Sequence, residues 1–468
     1  MNKRLIHILS LGVAAAAIVA SSASAMSLRD SIQIALESNP EVGQAAESRQ
    51  AIEFELRQAV GLYAPRIDLE ASAGVQALSN PSRRAAGIAD DMLLPAQVGL
   101  VATFDLLDGG FRDSETAHQA ARVDGASFRV LERSEFIALQ IARVYYQVLL
   151  QQQIVALSSD NVSFHQAMLN DVGSAIDSGQ LTEADRFQAI ERLAAARARL
   201  TEAGVELEAA RIEFELYVGV RPSNATMPPR IGGAMPNSLE AAIGMARLAN
   251  PRVLLADSDI DAAAALVDQS RSGLAPKLQL EMRAATGLDT GGTAGWNSDL
   301  SARLSLRWNL YDGGVKSAEV QESLHRESEA MLALDQTYRE VEEAVRTSWL
   351  RLQTQGELSR VYQDQLNSSS DLVSSYREQL NVGDRSLLDV LDAQNTRYNV
   401  QVLQETARYS VYFAEYRLMA SCGLLLQHYG LSAPSQADAY ARAAFETPSW
   451  EDSEPEARQP LDLTSFIN

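Results

Sequence analysis

Residues 303–314 read Arg303-Leu304-Ser305-Leu306-Arg307-Trp308-Asn309-Leu310-Tyr311-Asp312-Gly313-Gly314. Leu304, Leu306, Trp308 and Leu310 alternate with Arg303, Ser305, Arg307 and Asn309, which puts an apolar stripe on one face of an extended strand and arginine on the other. The strand runs into Asp-Gly-Gly. From about 315 to 380 the chain then carries heptad-like apolar spacing with almost no Gly or Pro, the pattern of one very long helix. At 1.5 Å per residue, such a helix is roughly 100 Å long.

The same pattern occurs 204 residues earlier: Asp108-Gly109-Gly110 matches Asp312-Gly313-Gly314, Gly179 matches Gly383, Asp185 matches Asp389 and Gly219 matches Gly423. Before the strands the offset is 211, pairing Ser27-Leu28 with Ser238-Leu239, Asn39-Pro40 with Asn250-Pro251 and Ala64-Pro65 with Ala275-Pro276. The difference lies in about 75–96, where Asn80-Pro81-Ser82 and Ala85-Ala86-Gly87 read as a surface loop. Two colinear registers predict an internal duplication. The first unit covers 26–219, a Pro- and Gly-rich linker 220–237, and the second unit 238–430. Each unit reads as short helix, Asn-Pro, second helix, Ala-Pro, β-hairpin, Asp-Gly-Gly, long helix and returning helix. Asn caps the second helix, and Pro suits its first turn because that N–H has no partner to lose. The hairpins are expected at about 66–107 and 277–311, with Leu100 and Phe104 as first-unit counterparts of Leu304 and Trp308.

Lys3 and Arg4 precede an uncharged stretch to Ala20, and Ala23-Ser24-Ala25 supplies small residues for cleavage, so residues 1–25 read as a signal peptide. No cysteine follows the cleavage point to take a lipid anchor. No later run of 18 apolar residues occurs. An exported chain of this kind that spans a membrane must do so with strands. Four strands do not close a barrel, since the smallest have about eight, so the barrel must be shared between chains. The 468 residues carry 61 acidic and 40 basic side chains, a formal charge of −21 that opposes phosphate binding and excludes nucleic acid as a partner. A single cysteine, Cys422, and five scattered histidines give no disulfide framework, no metal site and no catalytic constellation, so no enzyme activity and no cofactor are expected. The acidic, proline-containing tail 431–468 matches nothing in the first unit and is expected to be flexible.

The repeat, the two hairpins and the segment Gly383-Asp384-Arg385-Ser386-Leu387-Leu388-Asp389-Val390-Leu391-Asp392-Ala393 together resemble the TolC family of outer-membrane efflux and secretion proteins, over about residues 27–428. The resemblance implies a mainly α protein with a transmembrane β-barrel: a homotrimer whose 12-stranded outer-membrane barrel continues into a 12-helix periplasmic α-barrel. It implies a periplasmic adaptor (membrane fusion protein) and an inner-membrane pump of ABC or RND type as partners. By the same resemblance Arg385 and Asp185 are the gating lock at the periplasmic tip. Asp389 and Asp392 line the constriction as rings of carboxylates, which concentrate cations. A tyrosine of the best-known member's lock corresponds to Leu380, so one hydrogen bond is expected to be missing. Leu304, Leu306, Trp308, Leu310, Leu100 and Phe104 are the expected lipid-facing positions. Without a lipid anchor, protein export by type I secretion is expected ahead of drug efflux. A structural or adhesive coiled-coil protein of the envelope and a periplasmic adaptor are the alternatives. A rod has no use for amphipathic strands, and an adaptor needs no detergent for extraction.

Overall fold

In the first half, Ser27 accepts a hydrogen bond from the Asp30 amide and starts α1 (Leu28–Ser38); Asn39 then accepts from the Glu41 amide and starts α2 (Pro40–Gly61). The Asn39 amide group also donates to the Tyr217 carbonyl at 3.0 Å, tying the Asn-Pro corner to the end of the returning helix. β1 (Arg66–Ala73), the short α3 (Pro81–Ala85) and β2 (Ala96–Leu107) follow, and then α4 (Phe111–Asp177) and α5 (Glu183–Val218). These coordinates are a computed structural model that describes residues 26–452, apart from 89, 90, 178, 224 and 293. The expected signal peptide and the tail beyond 452 lie outside the described residues.

The second half repeats this order as α6 (Leu239–Ala249), α7 (Pro251–Ser272), β3 (Lys277–Leu288), β4 (Trp296–Arg307), α8 (Val315–Asn381) and α9 (Leu387–Ser421). Element lengths correspond closely: 11 and 11 residues for α1 and α6, 22 and 22 for α2 and α7, 67 and 67 for α4 and α8, 36 and 35 for α5 and α9. Asn250 repeats the corner chemistry, donating to the Ser421 carbonyl at 2.9 Å and accepting from the Arg252 amide. The Asp-Gly-Gly motif turns each strand into its long helix. Gly109 and Gly110 lie at φ 73° and 89°, and Gly313 and Gly314 at 74° and 87°, a conformation that side chains with a Cβ disfavour. At Gly109 a Cβ would also stand 2.5 Å from the Ala275 Cβ. Asp108 and Asp312 then accept from the amides of Arg112 and Lys316, capping the helices that follow.

The four strands form one antiparallel sheet in the order β1-β2-β3-β4. Its register gathers the apolar residues on one face: Leu69 opposes Leu100, which opposes Ala284, which opposes Leu300, and Phe104 opposes Leu280, which opposes Leu304. A register shift between Asp105 and Leu107 brings Leu107 opposite Leu278, so the stripe continues to the helix end. β4 stops at Arg307, and Trp308 and Leu310 therefore lie beyond the strand that was expected to include them. The reason is Pro276: it precedes Lys277, the partner of Arg307, and it has no N–H with which to extend the ladder. Trp308 instead donates through Nε1 to the Leu274 carbonyl at 3.0 Å.

The largest apolar core lies between the sheet and the far helix turns. There Ile137, Ile141, Tyr145 and Val148 of α4 pack with Leu28 and Ile32 of α1, Phe214 of α5, Tyr416 of α9 and the start of α10 (Leu425–His428). Cys422 is buried in a second cluster with Ala242, Ile260 and Val345, where burial raises its thiol to about 11 and leaves it inert. The C-terminal stretch also departs from expectation, since residues 431–452 are folded onto the helices and include α11 (Ala441–Ala444). Asp124 accepts from the amides of Tyr440, Ala441 and Arg442, while Arg442 reaches Asp257 at 3.0 Å and Asp261 at 2.6 Å. Asp124 and Asp261 are buried carboxylates that require donors, and the tail supplies them. Among the described residues no helix is long and apolar enough to cross a membrane.

Candidate functional site

The two far helix turns are built alike. Gly179 and Gly383 adopt φ 76° and 85°, the left-handed geometry that ends a helix. Thr182 and Ser386 then cap the returning helices. Asp185 closes a capping box by accepting from the Thr182 amide at 2.8 Å and hydroxyl at 2.7 Å; Asp389 does the same for the Ser386 amide at 3.3 Å and hydroxyl at 2.8 Å. Both aspartates therefore serve their own helix starts.

Among the described residues, no hydrogen bond or ion pair joins Arg385 to Asp185, so the expected lock does not form within one chain. The Asp185 cap bonds are both made through Oδ2. Arg385 lies over the Tyr376 ring at 4.3 Å, donates from Nε to Gln379 at 3.0 Å and comes within 3.9 Å of Asp389. Asp392 faces the other half: it accepts from Arg192 of α5 at 2.9 Å. A second bridge near the tip joins Arg377 of α8 to Asp171 of α4 at 3.1 Å. Sequence reasoning missed Arg192 because the residue at the equivalent second-half position, Thr396, is not basic. Leu380 packs against the tip cluster of Met168, Val172, Ala189, Leu387, Val390 and Leu391. Asp171, Arg377, Leu380, Gly383 and Arg385 border a groove of about 810 Å³ between the two turns.

Just behind the tip, the contact between α4 and α9 is polar. Ser158 meets the Tyr398 hydroxyl at 2.8 Å, Gln394 donates to Asn161 at 2.8 Å, and Arg199 of α5 donates to Asn395 at 2.5 Å. His165 is buried in this seam. Desolvation, and then the guanidinium groups of Arg192 and Arg199, hold its pKa below the usual histidine value.

At the opposite end, the apolar sheet face is open. Leu304 and Leu306 are 60% and 66% exposed, Leu100 is 51% exposed, and Phe104 is half-buried. Ile67, Leu69 and Leu300 continue the same face, at 67%, 70% and 85% exposed. Large apolar side chains laid out contiguously in this way are a surface that water does not favour. The loops beyond the strands are tied together by Arg83, which is buried and donates to the carbonyls of Leu78, Ile88, Asp91 and Gly292.

The family model described as "Outer membrane efflux protein" matches residues 31–220 and 242–424. The chain is similar to the outer membrane efflux protein BepC of Brucella suis biovar 1, with 25% identity over 337 residues that cover 72% of this chain and 74% of that one. It is also similar to the alkaline protease secretion protein AprF of Pseudomonas aeruginosa, with 25% identity over 307 residues, 64% of this chain and 63% of the relative. Among solved structures, CusC superposes with a TM-score of 0.73 at 16% identity, covering 84% of this chain and 91% of CusC.

Proposed function

Because the chain belongs to the outer membrane efflux protein family, we propose that it forms a homotrimeric channel-tunnel that carries cargo from an inner-membrane pump and a periplasmic adaptor to the cell exterior. It is an outer-membrane protein with a large periplasmic part. The observation that carries the proposal is the pairing of opposite ends: an in-register sheet with an exposed apolar face, and two 67-residue helices leading away from it. Three copies supply twelve strands and a lumen wide enough to conduct, whereas one copy cannot close. Leu100, Phe104, Leu304 and Leu306 meet lipid in this reading, and Trp308 and Leu310 sit just below the strand end. The matching element lengths of the two halves support an origin by duplication.

At the tip, Arg385 and Asp185 of neighbouring coiled coils form the lock in the assembled trimer, Asp389 and Asp392 line the constriction, and the adaptor opens it by binding the open form better. Protein export by a type I system is favoured over small-molecule efflux; the similarity to AprF, named for alkaline protease secretion, supports that order. Deleting the gene tests it. Loss of one or a few proteins from the medium with unchanged drug sensitivity is the expected result. Drug hypersensitivity with an intact secretome would reassign the cargo to small molecules.

A further inference from the structure

The polar face of the sheet contains one pairing that β-structure normally avoids. In the ladder between β3 and β4, Lys277 stands directly opposite Arg307, in the row nearest the helices. Like charges directly opposite destabilise an antiparallel pair. The other cations on this face have carboxylates to hand: Arg303 opposes Glu281, Arg66 bonds Asp68 at 2.7 Å, and Arg283 lies 3.8 Å from Glu70. Asp105, the last acid within the strands, accepts from Gln279, and the corner acids Asp108 and Asp312 are engaged by Arg112 and by the Lys316 amide. Lys277 turns onto the Phe111 ring at 5.5 Å, and among the described residues Arg307 has no ion-pair partner. Both side chains are exposed. Their parity along the strands sets them opposite Leu278 and Leu306, which face the apolar side.

From this uncompensated pair we infer that Lys277 and Arg307 form an anion-binding collar in the lumen, where the helical tunnel passes into the barrel. The inference rests on the trimeric barrel proposed above. Three copies place six cations on one ring, and the ligand they fit is a phosphate- or carboxylate-rich group carried by cargo or free in solution. Arginine contributes a bidentate fork and lysine a point charge, and both strengthen as an anion displaces water from the ring. The next row on this face sets Gln279 opposite Ser305 and Asp105, and the one beyond it sets Glu281 opposite Arg303, so the anion is held at one level and is not drawn along the whole barrel.

The test is channel block in planar bilayers with inorganic tripolyphosphate added on the barrel side. The wild-type channel is expected to show concentration-dependent block that weakens with salt. The double variant Lys277→Gln/Arg307→Gln is expected to lose about tenfold or more in blocking affinity while still conducting. If that variant gives no channels, the single variants decide, each with a several-fold loss. A conducting wild-type channel that tripolyphosphate does not block, or block of equal affinity in conducting variants, overturns the collar. Lipid phosphate is the other source of the same chemistry. Block that anionic lipid in the bilayer relieves would mean that the pair faces headgroups, and the lumenal assignment would fall. Absence of any wild-type conductance would instead count against the barrel itself.

Discussion

Glu135 is enclosed between α4 and the first turn of α10, where it accepts from the amides of Leu425 and Leu426 at 3.1 and 3.0 Å. Burial, only partly offset by those two donors, raises its pKa from 4.5 to about 7. The folded state therefore holds a proton that the unfolded chain releases near pH 4.5. Its stabilising contribution is complete below that pH and is lost as the pH rises through about 7. The size of the effect is about 3 kcal/mol. Glu135→Gln should flatten this decline, as measured by denaturant unfolding at a series of pH values; an unchanged slope would place the proton elsewhere. On the sheet, Leu306→Arg should cost about 2 to 4 kcal/mol if that side chain meets lipid near the midplane, read as loss of insertion into vesicles. Single residues were only half legible in advance. Thr182-x-x-Asp185 and Ser386-x-x-Asp389 spell capping boxes that are legible from local sequence alone, whereas any contact these acids make between chains depends on the assembly.

Among the elements, the helices were legible from periodicity and the Asn-Pro and Asp-Gly-Gly corners from turn chemistry, because each depends on neighbours in sequence. The end of β4 and the docking of residues 431–452 were not, because each depends on a distant partner: Pro276 for the strand, Asp124 and Asp261 for the tail. The same limit hid Arg192 on α5. Its bridge to Asp392 on α9 links the two coiled coils, and with half-exposed partners it is worth no more than about 1 kcal/mol. Three such pairs in the proposed trimer still shift an open–closed equilibrium substantially. Arg192→Ala and Arg385→Ala should each raise single-channel conductance, and the double variant should raise it further. If Arg385→Ala leaves conductance at the wild-type level, the lock fails; if only Arg192→Ala does, the intrachain bridge is irrelevant to gating. The polar seam of Ser158, Asn161, Gln394 and Tyr398 suits such motion, since hydrogen bonds exchange partners more readily than an interlocked apolar seam slides.

For the molecule as a whole, α4 and α8 both contain 67 residues and both start directly after an Asp-Gly-Gly corner. At 1.5 Å per residue, each residue count fixes how far the turn stands from the sheet. Removing seven residues, two helical turns, from both long helices and from their returning partners should shorten that distance by about 10 Å and preserve which faces meet. Removing seven from one half alone should leave the two turns at different heights and separate Arg192 from Asp392. Electron microscopy of the purified protein, together with assembly yield, distinguishes the two outcomes. The equal helices thus act as a molecular gauge: the distance from the sheet to the far turns is recorded twice in the chain, and a mutation in one copy is exposed by its disagreement with the other.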